Sequence, residues 1–122
     1  MFGVFKTSGA GSSIGYTTYV ALLTQTGTNA PVATVLENSL GGTVVWSYVA
    51  AGQYTATLSG AFALAKTFVV LGASANGGSA FFYDVQMAGA PNSFNIYIRN
   101  AATQVVGDDL LLYNPIEIRV YP

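Results

Sequence analysis

Between residues 16 and 122 the apolar positions recur with period 2, the repeat of a strand that turns one face to a core. Nowhere do they follow the 3.6-residue repeat of a helix. The clearest runs are "FNIYIRN", with Phe94, Ile96 and Ile98 on one face and Asn95, Tyr97 and Arg99 on the other, and "IEIRVYP", where Ile116, Ile118 and Val120 oppose Glu117, Arg119 and Tyr121. "TVVWSYVA" sets Val44, Trp46 and Tyr48 against Val45, Ser47 and Val49, and "QYTATLS" places Tyr54, Ala56 and Leu58 on one side. "YTTYVALLTQ", "VATVLENSL" and "FFYDVQM" are further strands, rich in β-branched and aromatic residues. "KTFVVLG" is nearly all apolar and predicts a strand buried on both faces. "AATQVVGDDLLLYNP" is ambiguous and predicts one or two short strands around Gly107-Asp108.

Turn formers separate these runs: "TGTNAP", Gly41-Gly42, Ala51-Gly52, "GASANGGSA" and "AGAPNS". In "LENSLGGTVVW" Asn38 and the two glycines supply the positive-φ positions of a hairpin connection, so residues 36 to 46 predict a β-hairpin. The sum is an all-β chain: an antiparallel β-sandwich, jelly-roll-like, of eight or nine short strands over residues 16–122. Residues 1–15 read differently, as an N-terminal arm with an apolar tip (Phe2, Val4, Phe5), then Lys6 and a Gly/Ser-rich stretch. Two readings of the tip stand side by side: it docks onto a neighbouring subunit or partner, or it lies as an edge strand on its own domain.

Charge changes the picture most. Lys plus Arg number 4 and Asp plus Glu 5, so charged residues are 7 % of the chain while hydrophobic ones are 52 %. Soluble surfaces are usually about a quarter to a third charged. The surface is therefore expected to be covered by uncharged polar residues and partly hidden against other copies of the chain. Edge strands are commonly protected by charges, and with so few here subunit pairing is the expected protection. No strong field exists to hold nucleic acid, and no apolar run approaches the roughly 20 residues that span a bilayer. The start has its lysine after a four-residue apolar patch, the reverse of a secretion signal.

Candidate chemistry is thin. With Cys 0 and His 0 there is no thiolate, no cysteine-based zinc site and no imidazole proton shuttle, so no catalytic residue, metal site or cofactor is assigned and an enzyme is the last expectation. Gly107-Asp108-Asp109 is read as a turn cap before a calcium loop, since no calcium-loop spacing accompanies it. Asp84, inside an apolar strand, is expected to face solvent or pair with Arg99 or Lys66, and Glu117 to make a cross-strand or intersubunit pair. Glu37, Asp84, Asp108, Asp109 and Glu117 are the only carboxylates from which a glycosidase pair could come, and spacing does not select two of them. Gly77-Gly78 lacks the lysine and hydroxyl residue of a phosphate loop. The tyrosines Tyr16, Tyr19, Tyr48, Tyr97 and Tyr121 are candidates to fill subunit contacts in preference to stacking on sugars, beside the commoner reading of such tyrosines as half-buried strand residues. The interface residues singled out are Phe2, Val4, Phe5, Tyr19, Tyr97 and Tyr121.

The runs Tyr16 to Gln25, Ala30 to Asn38, Leu40 to Trp46 and Tyr54 to Leu58, with the closing "IEIRVYP", resemble a small module of virion proteins in tailed bacteriophages and prophages. The resemblance covers most of residues 16 to 122 and is specific mainly in the first half. It implies a structural or attachment role on the particle surface as capsid decoration, head fibre or tail-associated protein, commonly as a homotrimer. The start at Met1 sets the expectation of a free-standing protein, with the arm holding a capsid or other virion protein. Two alternatives stand beside this: a carbohydrate-binding, host-attachment module, and an extracellular filament subunit joined by strand addition.

Overall fold

The structure, a computed structural model, describes residues 15–74 and 79–122. Within them the chain forms eight strands: β1 (Thr17–Thr24), β2 (Val32–Asn38), β3 (Val45–Ala50), β4 (Gln53–Thr57), β5 (Thr67–Leu71), β6 (Phe81–Met87), β7 (Ser93–Asn100) and β8 (Asn114–Val120). They make two four-stranded antiparallel sheets. Sheet A has the order β2-β1-β8-β5 and sheet B the order β3-β4-β7-β6. The first and last strands pair, and β4 pairs with β7, so each sheet combines strands from both halves of the chain in a β-sandwich.

The alternating runs become the inner faces. Tyr19, Ala21 and Leu23 of β1 and Ile116 and Ile118 of β8 meet Trp46 of β3, Tyr54 and Ala56 of β4, and Phe94, Ile96 and Ile98 of β7. Phe62, from the loop after β4, sits edge-on to Phe94 with ring centres 4.9 Å apart, a geometry aromatic pairs prefer. One polar bond crosses the core: Trp46 Nε1 donates to Tyr19 Oη at 3.3 Å. Each buried aromatic thus satisfies the other's polar tip, and the two sheets are pinned in one relative position.

Three sequence expectations need correction. The stretch from 36 to 46 is not a hairpin, because β2 belongs to sheet A and β3 to sheet B. Of the three positions expected to take positive φ only Gly41 does, at φ 94°, while Asn38 and Gly42 do not. Asn38 Oδ1 accepts from Leu40 N and its Nδ2 donates to Gly42 O, so the side chain closes a turn that redirects the chain across the sandwich. Ser39 N donating to Thr18 O holds the start of that turn on β1, and burial of Val44 and Trp46 against the opposite sheet outweighs pairing of β3 with its neighbour in sequence.

"KTFVVLG" is not buried on both faces. Among the described residues β5 is an edge strand that pairs only with β8; Val69 and Leu71 turn inward while Phe68 and Val70 remain 46 % and 38 % exposed. Finally, residues 101–113 hold no strand, only an isolated bridge between Arg99 and Val106. Positive φ at Gln104, Asp109 and Tyr113 breaks the extended path. The segment instead plugs one end of the core with Leu110 and Leu111 and is tied to the turn after β1, where Gln25 N donates to Leu111 O and Gln25 Oε1 accepts from Asp109 N.

Candidate interaction surfaces

The carboxylates resolve into structural roles and one exposed pair. Asp108 Oδ2 accepts from Tyr48 Oη at 2.8 Å, and its Oδ1 accepts from Tyr54 Oη and Gly52 N, both at 2.9 Å. Asp109 Oδ1 accepts from Gly27 N at 2.7 Å. Both aspartates therefore fasten loops, in line with the turn reading. Among the described residues no group of three or more metal-ligating side chains gathers. Glu117 pairs with Arg119 on its own strand, at 2.9 Å, in place of a partner on another strand. Asp84 is well exposed and lies 3.7 Å from Arg99, the solvent-facing pairing expected for it.

Burial, and then the bond to Asp108, pushes the Tyr54 phenol above its ordinary value of 10.0. Tyr48 is raised mainly by its bond to the same carboxylate. The folded state holds these protons more tightly than the unfolded chain. Stability is therefore fully present below pH 10, where both states are protonated, and is lost as pH rises toward the folded-state values. Thermal melts across alkaline pH are expected to show a fall beginning near pH 10. Tyr54→Phe is expected to make that fall shallower while costing about 1 kcal/mol at neutral pH; an unchanged alkaline slope in the variant would reject this account.

The surface itself offers more. On the outer face of sheet A, register places Val20, Glu117 and Val70 in one row across β1, β8 and β5, and Thr18, Arg119 and Phe68 in the next. Leu22 lies opposite Pro115 in the row on the other side. These residues point outward because their neighbours Tyr19, Ala21, Leu23, Ile116 and Ile118 fill the core. The result is an apolar frame (Val20, Leu22, Pro115, Phe68, Val70) around one ion pair. The Arg119 guanidinium lies 4.9 Å from the Tyr16 ring centre and 5.5 Å from that of Phe68, within cation–π range of both. Its charge is held more firmly than usual by the bonds to Glu117 and then Tyr121.

The frame continues onto β2, the other edge of sheet A. Register slips between Val20 and Ala21, so Leu36 is an extra residue on β2, and this bulge leaves it 61 % exposed. Val32 is exposed as well, and so is Val35, which stands opposite Ala21 on the inward side of this edge. An edge strand with open apolar side chains and a single charge, Glu37, is poorly protected against pairing with another chain.

Of the interface residues expected from sequence, Tyr19 is corrected. It is 1 % exposed, in the core, because the β1 alternation places it inward with Ala21 and Leu23. Tyr121 is exposed at the end of β8, its ring 5.1 Å from that of Tyr16. Tyr97 lies on the outer face of sheet B, where its hydroxyl donates to Gln86 Oε1 at 2.8 Å. Phe2, Val4 and Phe5 lie outside the described residues. Sequence reasoning missed Phe68, Val70, Val35 and Leu36. The signal for the first two was present in "KTFVVLG", a run more apolar than an edge strand needs for its core contacts alone. No family model, curated protein or solved structure matches the chain.

Proposed function

We propose that this chain is a non-enzymatic structural protein that assembles with further copies of itself through the outer face of sheet A. The observation that carries the reading is the apolar frame around the Glu117–Arg119 pair. A second copy suits it for two reasons. The face presents one positive and one negative group side by side, so it is complementary to itself under rotation. The ion pair is already made within one subunit, so covering it does not strand an unpaired charge. The low charge of the whole chain, 4 basic and 5 acidic residues, supports burial of surface between subunits.

The resemblance of most of residues 16 to 122 to phage virion modules supports a place for such an assembly on a virion surface, as capsid decoration, head fibre or tail-associated protein; it favours a trimer, whereas the self-complementary face by itself closes a twofold dimer, and the native mass decides between the two. The arm then acts as a tether, through Phe2, Val4 and Phe5, to a capsid or other virion protein.

Native mass by light scattering tests the assembly. At micromolar concentration the full chain is expected to have a multiple of the 12.7 kDa chain mass. A variant combining Phe68→Thr and Val70→Thr, which keeps β-branched residues in β5 while removing its apolar cover, is expected to run as a folded monomer. A wild-type monomer, or an assembly untouched by the paired substitution, would overturn the assignment of this face. A version lacking residues 1–15 separates the arm: an unchanged mass leaves it free to hold another component, and collapse to monomer makes it the intersubunit link.

A further inference from the structure

The outer face of sheet B has a different chemistry. Register sets β7 and β6 side by side so that Asn95 faces Gln86, Tyr97 faces Asp84 and Arg99 faces Phe82, three successive outward rows. Inward rows between them belong to the core: Phe94 with Met87, Ile96 with Val85, Ile98 with Tyr83. The six outward residues form a lattice of two carboxamides, a carboxylate, a guanidinium and two rings. Strand spacing and rise make it about 14 Å long and two strands wide, room for about two or three pyranose rings.

We propose that this lattice binds a neutral saccharide. A pyranose offers adjacent hydroxyls, each both donor and acceptor, and an apolar face of C–H groups. It is met by planar polar side chains that engage two oxygens together and by a ring that covers the C–H face. The two carboxamides are oriented for this. Asn95 Oδ1 accepts from Thr55 Oγ1 at 2.6 Å and Gln86 Oε1 accepts from Tyr97 Oη at 2.8 Å. Their oxygens are thus committed, and their NH2 groups have no partner among the described residues. Asp84 and Arg99, at 3.7 Å, are farther apart than a hydrogen bond, so a hydroxyl can bond to both. Phe82, 53 % exposed, closes one end of the lattice, and the Tyr97 ring stands in its middle row.

Charge selects among ligands. Asp84 and Arg99 cancel, so the lattice has no net field for a sulfated or sialylated glycan or for nucleic acid. Apart from the Phe82 and Tyr97 rings its outward residues are polar, so it offers little apolar area to bury against another protein. A neutral glycan is the partner that needs neither.

The full-length protein, fluorescently labelled, would be applied to an array printed with neutral, sialylated and sulfated oligosaccharides. The expected result is binding to neutral spots. Tyr97→Ala and Asp84→Ala are each expected to weaken it at least about tenfold, and Tyr97→Phe, which keeps the ring and loses the hold on Gln86, to weaken it less. Val45→Thr, on the same face outside the lattice, is expected to change nothing. Thermal melts and light scattering of each variant show that a loss reflects neither unfolding nor reduced valency. Blank neutral spots, binding confined to acidic glycans, or wild-type binding by Tyr97→Ala and Asp84→Ala would overturn the proposal. Because this face is separate from sheet A, failure here leaves the self-assembly test unaffected.

Discussion

Gly52→Ala is expected to remove more than about 4 kcal/mol of stability and to leave little cooperatively folded protein at 25 °C. Gly52 sits in the turn from β3 to β4 with φ +69°, where a side chain is strained in any surroundings. Its surroundings are worse still. A Cβ there would lie 2.5 Å from Ile98 O, 2.6 Å from Gly107 N and 3.0 Å from Gly107 O, all backbone atoms. These cannot yield independently, since Ile98 N donates to Gly52 O at 2.7 Å and Gly107 N to Ile98 O at 3.1 Å. Gly60 provides the control. Its φ is +73° and nothing lies within 4 Å of an added Cβ, so Gly60→Ala isolates the backbone strain, about 1 kcal/mol. Urea denaturation of both variants measures the difference, and equal losses would mean that the close approach at Gly52 relaxes freely.

Asp108→Ala is the second large effect, at about 3 kcal/mol. The carboxylate gathers three donors from β3, the β3–β4 turn and β4, and binds them to the segment that precedes β8. Removing it strands the Tyr54 hydroxyl and Gly52 N–H in a partly buried site, each at about 1 kcal/mol or more, and frees the segment carrying Leu110 and Leu111. Asp108→Asn is expected to lose less, because one oxygen still accepts and the Tyr48 hydroxyl can turn to accept from the new NH2 group. A double-mutant cycle with Tyr54→Phe should show coupling, as both ends of one bond are removed. Additive losses, or a loss below 0.5 kcal/mol in Asp108→Ala, would show that the cluster is incidental to stability.

Most of the fold was legible because period-2 alternation is imposed by a two-layer core. Phe94, Ile96, Ile98, Ile116 and Ile118 declared their faces in sequence, and all five are buried. Strand partnership was less legible. Gly41-Gly42 carries hairpin chemistry, yet whether the chain turns back or crosses over is decided by where Trp46 finds a core, across from Tyr19. The β5 run shows the same limit in reverse. An apolar sequence states that a strand seeks cover on both sides without saying that the second cover lies within the same chain.

The surfaces were harder to foresee for a related reason. The lattice on sheet B exists only when Asn95, Tyr97 and Arg99 fall in register with Gln86, Asp84 and Phe82, and register is a property of the paired ribbon. Glu117 and Arg119 were visible on one face in "IEIRVYP", but a cross-strand or intersubunit partner was expected for Glu117, and most of the apolar frame comes from strands far away in the chain. Tyr19 misled because tyrosine's hydroxyl suggests exposure, and only Trp46 shows how that hydroxyl is satisfied in the core.

The position of β8 has a consequence for the order of events during synthesis. Of the eight described strands it is the last made, yet it lies in the interior of sheet A, between β1 and β5. The strands of sheet B are all present before it. Sheet A, by contrast, cannot close until some hundred residues separate its first strand from its last, a contact of long range that makes such topologies slow to form. Glu117 and Arg119 arrive on that same strand. A nascent or truncated chain that stops before Asn114 has the apolar residues of β1 and β5 but lacks the charged centre and the Pro115 side of the face between them. The strand that completes the sandwich also completes the face, so a chain must be built through Val120 before it carries the whole of the surface proposed for self-association.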